Sequence, residues 1–346
     1  MSTGKRPAHV ERIALIGAGD IARSCHLPCL LSRNVNLACV MDPNPNALGA
    51  VRRLVRPETR LSQSASLADL PEVDAAIVCT PISQHYGQVK HLLERGIHVL
   101  CEKPLAAAPE KDLSLCEIAA AVGVTLQVGY YRRFHPTSWA VGMLLREPSE
   151  LGDLTRCTIR AGHMMPSSPR WMEDREVSRG GVMMDFGVHI VDRLLSWFDD
   201  VCLDGYADDS HGGVEANAAA TIRATCRGRQ IPVDLLLSRT SNIGYLIRLD
   251  FERGSIVNNL NNGYVLDFVS ADDVAFLGRR IRASCSVEVA SPATALDYFG
   301  DQWAEFIART DGGPEVRSSL PDAVRTSAFV EQCYVGRRPL VLPWGY

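Results

Sequence analysis

Two features of this 346-residue sequence carry side chains suited to moving a proton. Lys103 stands between Glu102 and Pro104, directly after the apolar run His98-Val99-Leu100-Cys101. Proline removes a backbone donor and fixes the local turn, so this lysine is aimed. An aimed ammonium stabilises negative charge growing on a reacting oxygen. A lysine free in solvent is the ordinary alternative. Farther along, Asp185 precedes His189 by four positions inside a helical pattern over 180–198, which puts both on one face. Asp192 follows one turn later, beside an apolar ridge of Val188, Val191, Leu194 and Leu195. An imidazole oriented by an acid is a general base near neutral pH. The same spacing also suits an exposed pair or a satisfied core histidine, so the two residues alone leave the role open.

The elements that must position these groups begin near the N-terminus. Ile13-Ala14-Leu15-Ile16 reads as a buried parallel strand and runs into Gly17-Ala18-Gly19-Asp20-Ile21-Ala22. This is the G-x-G-x-x-A form of the dinucleotide turn. Gly17 makes the tight turn, Gly19 admits a pyrophosphate, and Ala22 allows close packing of strand on helix. The pyrophosphate would lie on the positive end of the helix over 20–32. Pro28 lies inside that helix and predicts a kink or an early break. Leu37-Ala38-Cys39-Val40-Met41 is a second strand ending in Asp42, at the distance from the glycines, about 20 residues, where an acid accepts the adenosine ribose hydroxyls. A carboxylate there repels a 2′-phosphate, which favours NAD over NADP. Asp42 also suits a helix N-cap before 44–55. Further strands over 75–79, 98–101 and 124–128 alternate with helices over 83–94 and 109–122, which implies a doubly wound parallel sheet. Ligands bind beyond the carboxyl ends of such strands, where Thr80-Pro81 and Glu102-Lys103-Pro104 fall.

The pattern changes near residue 150. A strand over 154–161, a polar loop over 163–178 and the helix with Asp185 lead into mostly strands from 201 to 289. Two helices, over 293–308 and 321–335, close the chain. This is an α+β domain with a largely antiparallel sheet. The expected division is 1–132 for the dinucleotide-binding domain and 133–346 for substrate binding and oligomerisation, with packing of the C-terminal segment back on the first domain as an open alternative. Lysine plus arginine total 36 against 40 acids, a net charge of −4, with no basic block that would suggest nucleic acid or a membrane surface. No apolar segment suggests a signal peptide or a spanning helix. The 11 cysteines are scattered without a CxxC or a zinc spacing, and read as buried reduced thiols of a cytoplasmic protein without a metal.

Taken together, these motifs make the chain resemble the glucose–fructose oxidoreductase / inositol dehydrogenase (Gfo/Idh/MocA) family over nearly its whole length. The resemblance rests on the glycine turn, Asp42, Cys79-Thr80-Pro81 with His85, Glu102-Lys103-Pro104, Gly129 to Pro136, and Gly180-Gly181 through Asp185, Gly187, His189 and Asp192. It implies a Rossmann domain followed by a domain whose large open sheet forms a dimer or tetramer interface. It also implies an NAD-dependent oxidoreductase that interconverts a secondary alcohol and a ketone on a sugar, amino sugar or cyclitol. The family's lysine and its Asp/His pair map onto Lys103, Asp185 and His189. Cofactor contacts are then expected from Gly17, Gly19, Asp20, Ile21, Asp42, Thr80, Pro81, His85, Glu102 and Lys103. Substrate contacts are expected from Lys103, Arg133, His163, Trp171, Asp185 and His189, with 163–178 and the strands near Arg239 to Tyr245 setting specificity. The resemblance also extends to reductases of other substrates, such as dihydrodiols or imines, and to non-catalytic, sugar-responsive regulators.

Overall fold

The computed structural model describes residues 10–33, 35–165, 170–270, 274–276, 279–281, 284–290 and 297–341. They fall into two compact units, the first within Met1–Tyr131 and Thr294–Val324, the second within Arg132–Ala293 and Arg325–Tyr346.

The first unit is built on six parallel strands: β1 (Arg12–Ile16), β2 (Asn36–Met41), β3 (Arg60–Ser62), β4 (Ala75–Val78), β5 (His98–Cys101) and β6 (Leu126–Val128). Their order is β3-β2-β1-β4-β5-β6, so the chain reverses direction across the sheet between β1 and β4. The central strands β1 and β4, buried on both faces, are runs of Ile, Leu, Val and Ala. Ile13, Leu15, Val40, Ile77 and Leu100 form one core with Phe299, Trp303 and Phe306 from the helix Asp297–Thr310. The expected start of that helix, 293–296, lies outside the described residues. Pro28 does not break the first helix. A π-turn over Ala22–His26 widens the backbone, the Leu27 N–H reaches back to the Ala22 carbonyl, and Pro28 falls in the first turn of the α-helix Leu27–Ser32.

The second unit carries a nine-stranded mixed sheet. In chain order its strands are β7 (Leu154–Gly162), β8 (Asp200–Asp208), β9 (Asn217–Cys226), β10 (Arg229–Ser238), β11 (Gly244–Phe251), β12 (Gly254–Asn259) and β13 (Val265–Ser270). A short ribbon, β14 (Val274–Phe276) and β15 (Arg279–Ile281), stands apart, and β16 (Cys285–Glu288) and β17 (Arg338–Pro339) complete the edges. The order is β16-β13-β12-β11-β7-β10-β9-β8-β17, antiparallel except for β10 on β7 and β17 on β8. Pro232 lies inside β10, yet β7 pairs with β10 only from Val233 onward, so the proline faces no ladder partner on that side. One face buries Ile159, Ile222, Ala224, Val233, Leu235, Leu237, Ile247 and Leu249. The other carries cross-strand ion pairs, Arg156–Asp234 and Arg223–Asp204.

The helical stretch expected over 180–198 is a π-turn, Met183–Gly187, continued as the α-helix Val188–Trp197. It packs against the helix Pro136–Arg146, where the Trp197 indole donates to the Ser138 carbonyl at 2.8 Å. The expected loop over 163–178 holds two short helices, Arg170–Glu173 and Arg175–Ser178, and its residues 166–169 lie outside the described residues. No described helix is long and apolar enough to cross a membrane.

Candidate functional site

In the first unit the sequence-predicted residues gather at the carboxyl ends of β1, β2, β4 and β5. Gly17 adopts φ +90°, and a Cβ there would come within 2.7 Å of the Cys79 backbone. Gly19 is exposed, and among the described residues a Cβ on it would meet no atom within 4 Å. The two glycines therefore serve different needs. Gly17 lets the chain turn against β4, whereas Gly19 keeps open the space in front of the helix. Asp20 and Ile21 open that helix, with Asp20 paired to Arg23. Asp42 accepts the Ala18 N–H on one carboxylate oxygen and the Asn44 N–H on the other, both at 2.8 Å. It thereby ties the glycine turn to the end of β2, while each oxygen retains a lone pair for a ribose hydroxyl. The N-cap of the next helix, Pro45–Arg52, is Asn44 and not Asp42, since the Asn44 side chain accepts the Asn46 N–H. An open glycine, a helix start and a half-buried acid at the neighbouring strand end fit a dinucleotide.

Buried imidazoles fix the turn that bears Lys103. His26, in the π-turn after the glycines, meets Glu102 Oε1 through Nε2 at 2.8 Å. Glu102 Oε2 accepts the Lys103 N–H at 3.1 Å. Burial pushes the Glu102 carboxyl up, but His26 and Lys103 together outweigh it and hold the group below its ordinary value. Gly129 makes room, since a Cβ there would crowd the Glu102 carboxylate at 3.1 Å. On the other side, His85 is 1% exposed and contacts the Thr80 carbonyl at 2.7 Å and the Pro104 and Leu105 carbonyls at 2.9 and 3.0 Å. Burial lowers its pKa. Both His85 nitrogens are engaged by backbone, so the structure places this expected cofactor contact as a staple between Thr80 and the Lys103 turn. Thr80 itself donates its hydroxyl to Gln88 at 2.6 Å, and Pro81 starts the helix Ile82–Glu94. Lys103 is half-buried and precedes a cis proline.

In the second unit Asp185 lies in the π-turn with its carboxylate partly exposed and 3.0 Å from Arg239. His189 follows in the first turn of the α-helix and is 4% exposed. The Phe186 ring lies 6.5 Å from His189 and 4.9 Å from Tyr245, and Tyr245 lies 6.1 Å from His163. The two expected histidines are thus linked by a row of rings that the helix pattern does not announce. The Arg132 guanidinium stacks 5.1 Å over Phe186. Arg133, expected to touch substrate, is buried and makes a two-pronged pair with Asp192, Nε and Nη2 each 2.8 Å from a carboxylate oxygen. Trp171 stands 41% exposed on its short helix, available for contact.

Three residues enter this account from the structure, His26, Phe186 and Glu215, and Arg239, which bounds the strands expected to set specificity, gains its partner Asp185. The Glu215 carboxylate receives the N–H groups of Gly181 and Met183. Sequence separation hides such pairings. Only Arg239 lies where a signal existed, at the end of a strand facing the expected specificity loop.

The parallel sheet with its glycine turn and strand-end acid defines an NAD-binding Rossmann protein with an appended α+β unit. Comparison with known proteins makes this definite. Residues 11–130 match the model of the oxidoreductase family with NAD-binding Rossmann fold, and residues 145–257 match the GFO/IDH/MocA C-terminal domain. The chain belongs to the GFO/IDH/MocA family. It is 29% identical to D-glucoside 3-dehydrogenase of Escherichia coli over 53% of this chain and 53% of that protein. It is thus matched over about half of that relative's length. It is 26% identical to inositol 2-dehydrogenase of Rhizobium meliloti over 69% of this chain and 72% of that protein. Among solved structures, a 3-ketoreductase from Actinomadura kijaniata superposes with a TM-score of 0.77 at 19% identity, covering 97% of this chain and all of that one.

Proposed function

We propose that this chain is an NAD-dependent oxidoreductase that interconverts a secondary alcohol and a ketone on a sugar, amino sugar or cyclitol. The observation that carries the reading is the Asp185–His189 turn, with a partly exposed acid ion-paired to Arg239 and a ring row leading from His189 to His163. Aromatic faces beside charged hydrogen-bonding groups suit polyhydroxylated rings. The relatives named for glucoside and inositol substrates support the same class.

A bound nicotinamide supplies the hydride acceptor or donor at its C4. In the oxidising direction His189 takes the hydroxyl proton as general base. Lys103 is the group that the family resemblance assigns to stabilising the alkoxide charge as it forms. Asp185, held by Arg239, orients the substrate or the imidazole. His26, Glu102 and His85 hold the Lys103 turn, and Arg133 holds the His189 helix through Asp192. Asp42 selects NAD, because a carboxylate opposes a 2′-phosphate. The ion-paired outer face of the nine-stranded sheet is the surface proposed for a homodimer or homotetramer.

The test is a screen at 340 nm with NAD⁺ and NADP⁺ against sugars, amino sugars and cyclitols. Reduction of NAD⁺ in preference to NADP⁺ is expected with at least one of them. Lys103→Ala and His189→Ala should each lower turnover by about a hundredfold or more. Near-normal turnover in both variants rejects the assignment. Tight NADH binding without turnover on any polyol would instead fit a regulator.

A further inference from the structure

We propose that Glu215 is the positioning residue for the Asp185–His189 turn, holding the start of that helix through three successive backbone amides. The inference rests on the roles proposed above for Asp185 and His189. One carboxylate oxygen accepts the Gly181 N–H at 2.9 Å and the other accepts the Met183 N–H at 3.0 Å. The N–H between them, from Val182, goes to the Glu215 carbonyl at 2.9 Å. Three consecutive donors at the head of the helix therefore end on one residue. These are groups that a helix leaves without intrahelical partners, and a carboxylate there complements the helix dipole.

The fit is close enough to dictate the sequence. A Cβ on Gly181 would land on the Glu215 carbonyl oxygen, and a Cβ on Gly180 would land on the Tyr334 hydroxyl. That hydroxyl, from the helix Leu320–Val335, donates to the same carboxylate at 2.8 Å. Glu215 is 1% exposed. Burial pushes its carboxyl up, opposed by the donors from Tyr334, Met183 and Gly181. The next residue extends the hold. The Ala216 carbonyl accepts the Arg239 N–H at 2.9 Å, and the Arg239 side chain reaches Asp185. Residues 215–216 thus fix both the backbone that carries Asp185 and the arginine that pairs with it. The π-turn begins at Met183, the last of these amides, and through it the hold reaches His189.

Glutamine at 215 keeps the volume but presents one oxygen and one NH₂, so either the Gly181 or the Met183 amide faces another donor. Glu215→Gln, Glu215→Ala and Tyr334→Phe should be compared in the full chain with NAD⁺ present. Amide hydrogen exchange over 181–189 should rise about tenfold or more in Glu215→Gln, the loss of one bond to a charged group. Exchange over 10–131 and NADH affinity should stay within about twofold of wild type. The His189 imidazole resonances should shift in Glu215→Gln and in Tyr334→Phe. With the polyol found in the 340 nm screen, kcat should fall about tenfold in Glu215→Gln. Unchanged exchange over 181–189 in both Glu215 variants overturns the proposal. So does raised exchange with unmoved His189 resonances and unchanged kcat. His189→Ala separately decides whether that helix does chemistry, so failure of the hold and failure of the functional reading are told apart.

Discussion

Arg133 offers a decisive contrast between two roles. The resemblance to the family places it against substrate, whereas the structure pairs it with Asp192, with side chains only 6% and 1% exposed. Replacing Arg133 by Ala removes both 2.8 Å contacts of its guanidinium to the buried Asp192 carboxylate. Breaking a buried pair from one side costs about 3–5 kcal/mol. In a unit of this size that corresponds to a fall in Tm of roughly 6–20 °C. Asp192→Asn should cost nearly as much, and the Arg133→Met/Asp192→Leu double variant should cost much less than the sum, since paired removal strands no charge. Thermal melts of the wild type, Arg133→Met, Asp192→Leu and the double variant close the cycle, with KM measured on the same samples and on Arg133→Ala. A KM raised tenfold or more in Arg133→Ala, with Tm within about 2 °C of wild type, would refute the buried-pair reasoning and return Arg133 to the substrate.

Gly17→Ala and Gly19→Ala should fail in different ways. The first places a Cβ 2.7 Å from the Cys79 backbone at φ +90°, so it should lower Tm. The second meets no atom of the described residues, so Tm should hold while NADH affinity, read by fluorescence, drops about tenfold or more. Asp42→Ser should narrow the preference for NAD⁺ over NADP⁺ in the 340 nm assay, and should cost some stability because the Ala18 N–H loses its acceptor. The depressed Glu102 carboxyl also fixes a sign. It adds stability above the ordinary glutamate pKa, about 4.3, and that stability is lost as pH falls through the lower folded value. Acid unfolding of the first unit should therefore be less pH-dependent in Glu102→Gln, and equal slopes would count against the His26–Glu102 pair.

Much of the frame was readable in advance because its strands are continuous apolar runs and its turns use glycine. The strand His98–Cys101 and the helix Pro109–Val122 fall where the pattern puts them. β3, a three-residue strand of Arg60, Leu61 and Ser62 at the sheet edge, offers no apolar run to read. The two π-turns were illegible for another reason. A local widening shifts later residues by a fraction of a turn, and a hydrophobic pattern tolerates that shift. In the site, residue type was legible and partnership was not. His85 and Arg133 are the sorts of residue that touch ligands, yet backbone carbonyls engage one and Asp192 the other. Glu215 and Tyr334 meet Gly180 and Gly181 only in three dimensions, so the paired glycines were visible without their cause.

The core of the first unit includes Phe299, Trp303 and Phe306, which arrive long after the strands they cover. The cofactor module is therefore not a cassette that ends where its last strand ends. A fragment stopping at Tyr131 would lack three aromatic side chains from the core that includes Ile13, Leu15 and Ile77. Grafting this module onto another protein would require carrying along a helix encoded more than halfway down the chain. Recombination between relatives would accordingly have to exchange two separated pieces at once, coupling the inheritance of the front of the sequence to that of its tail.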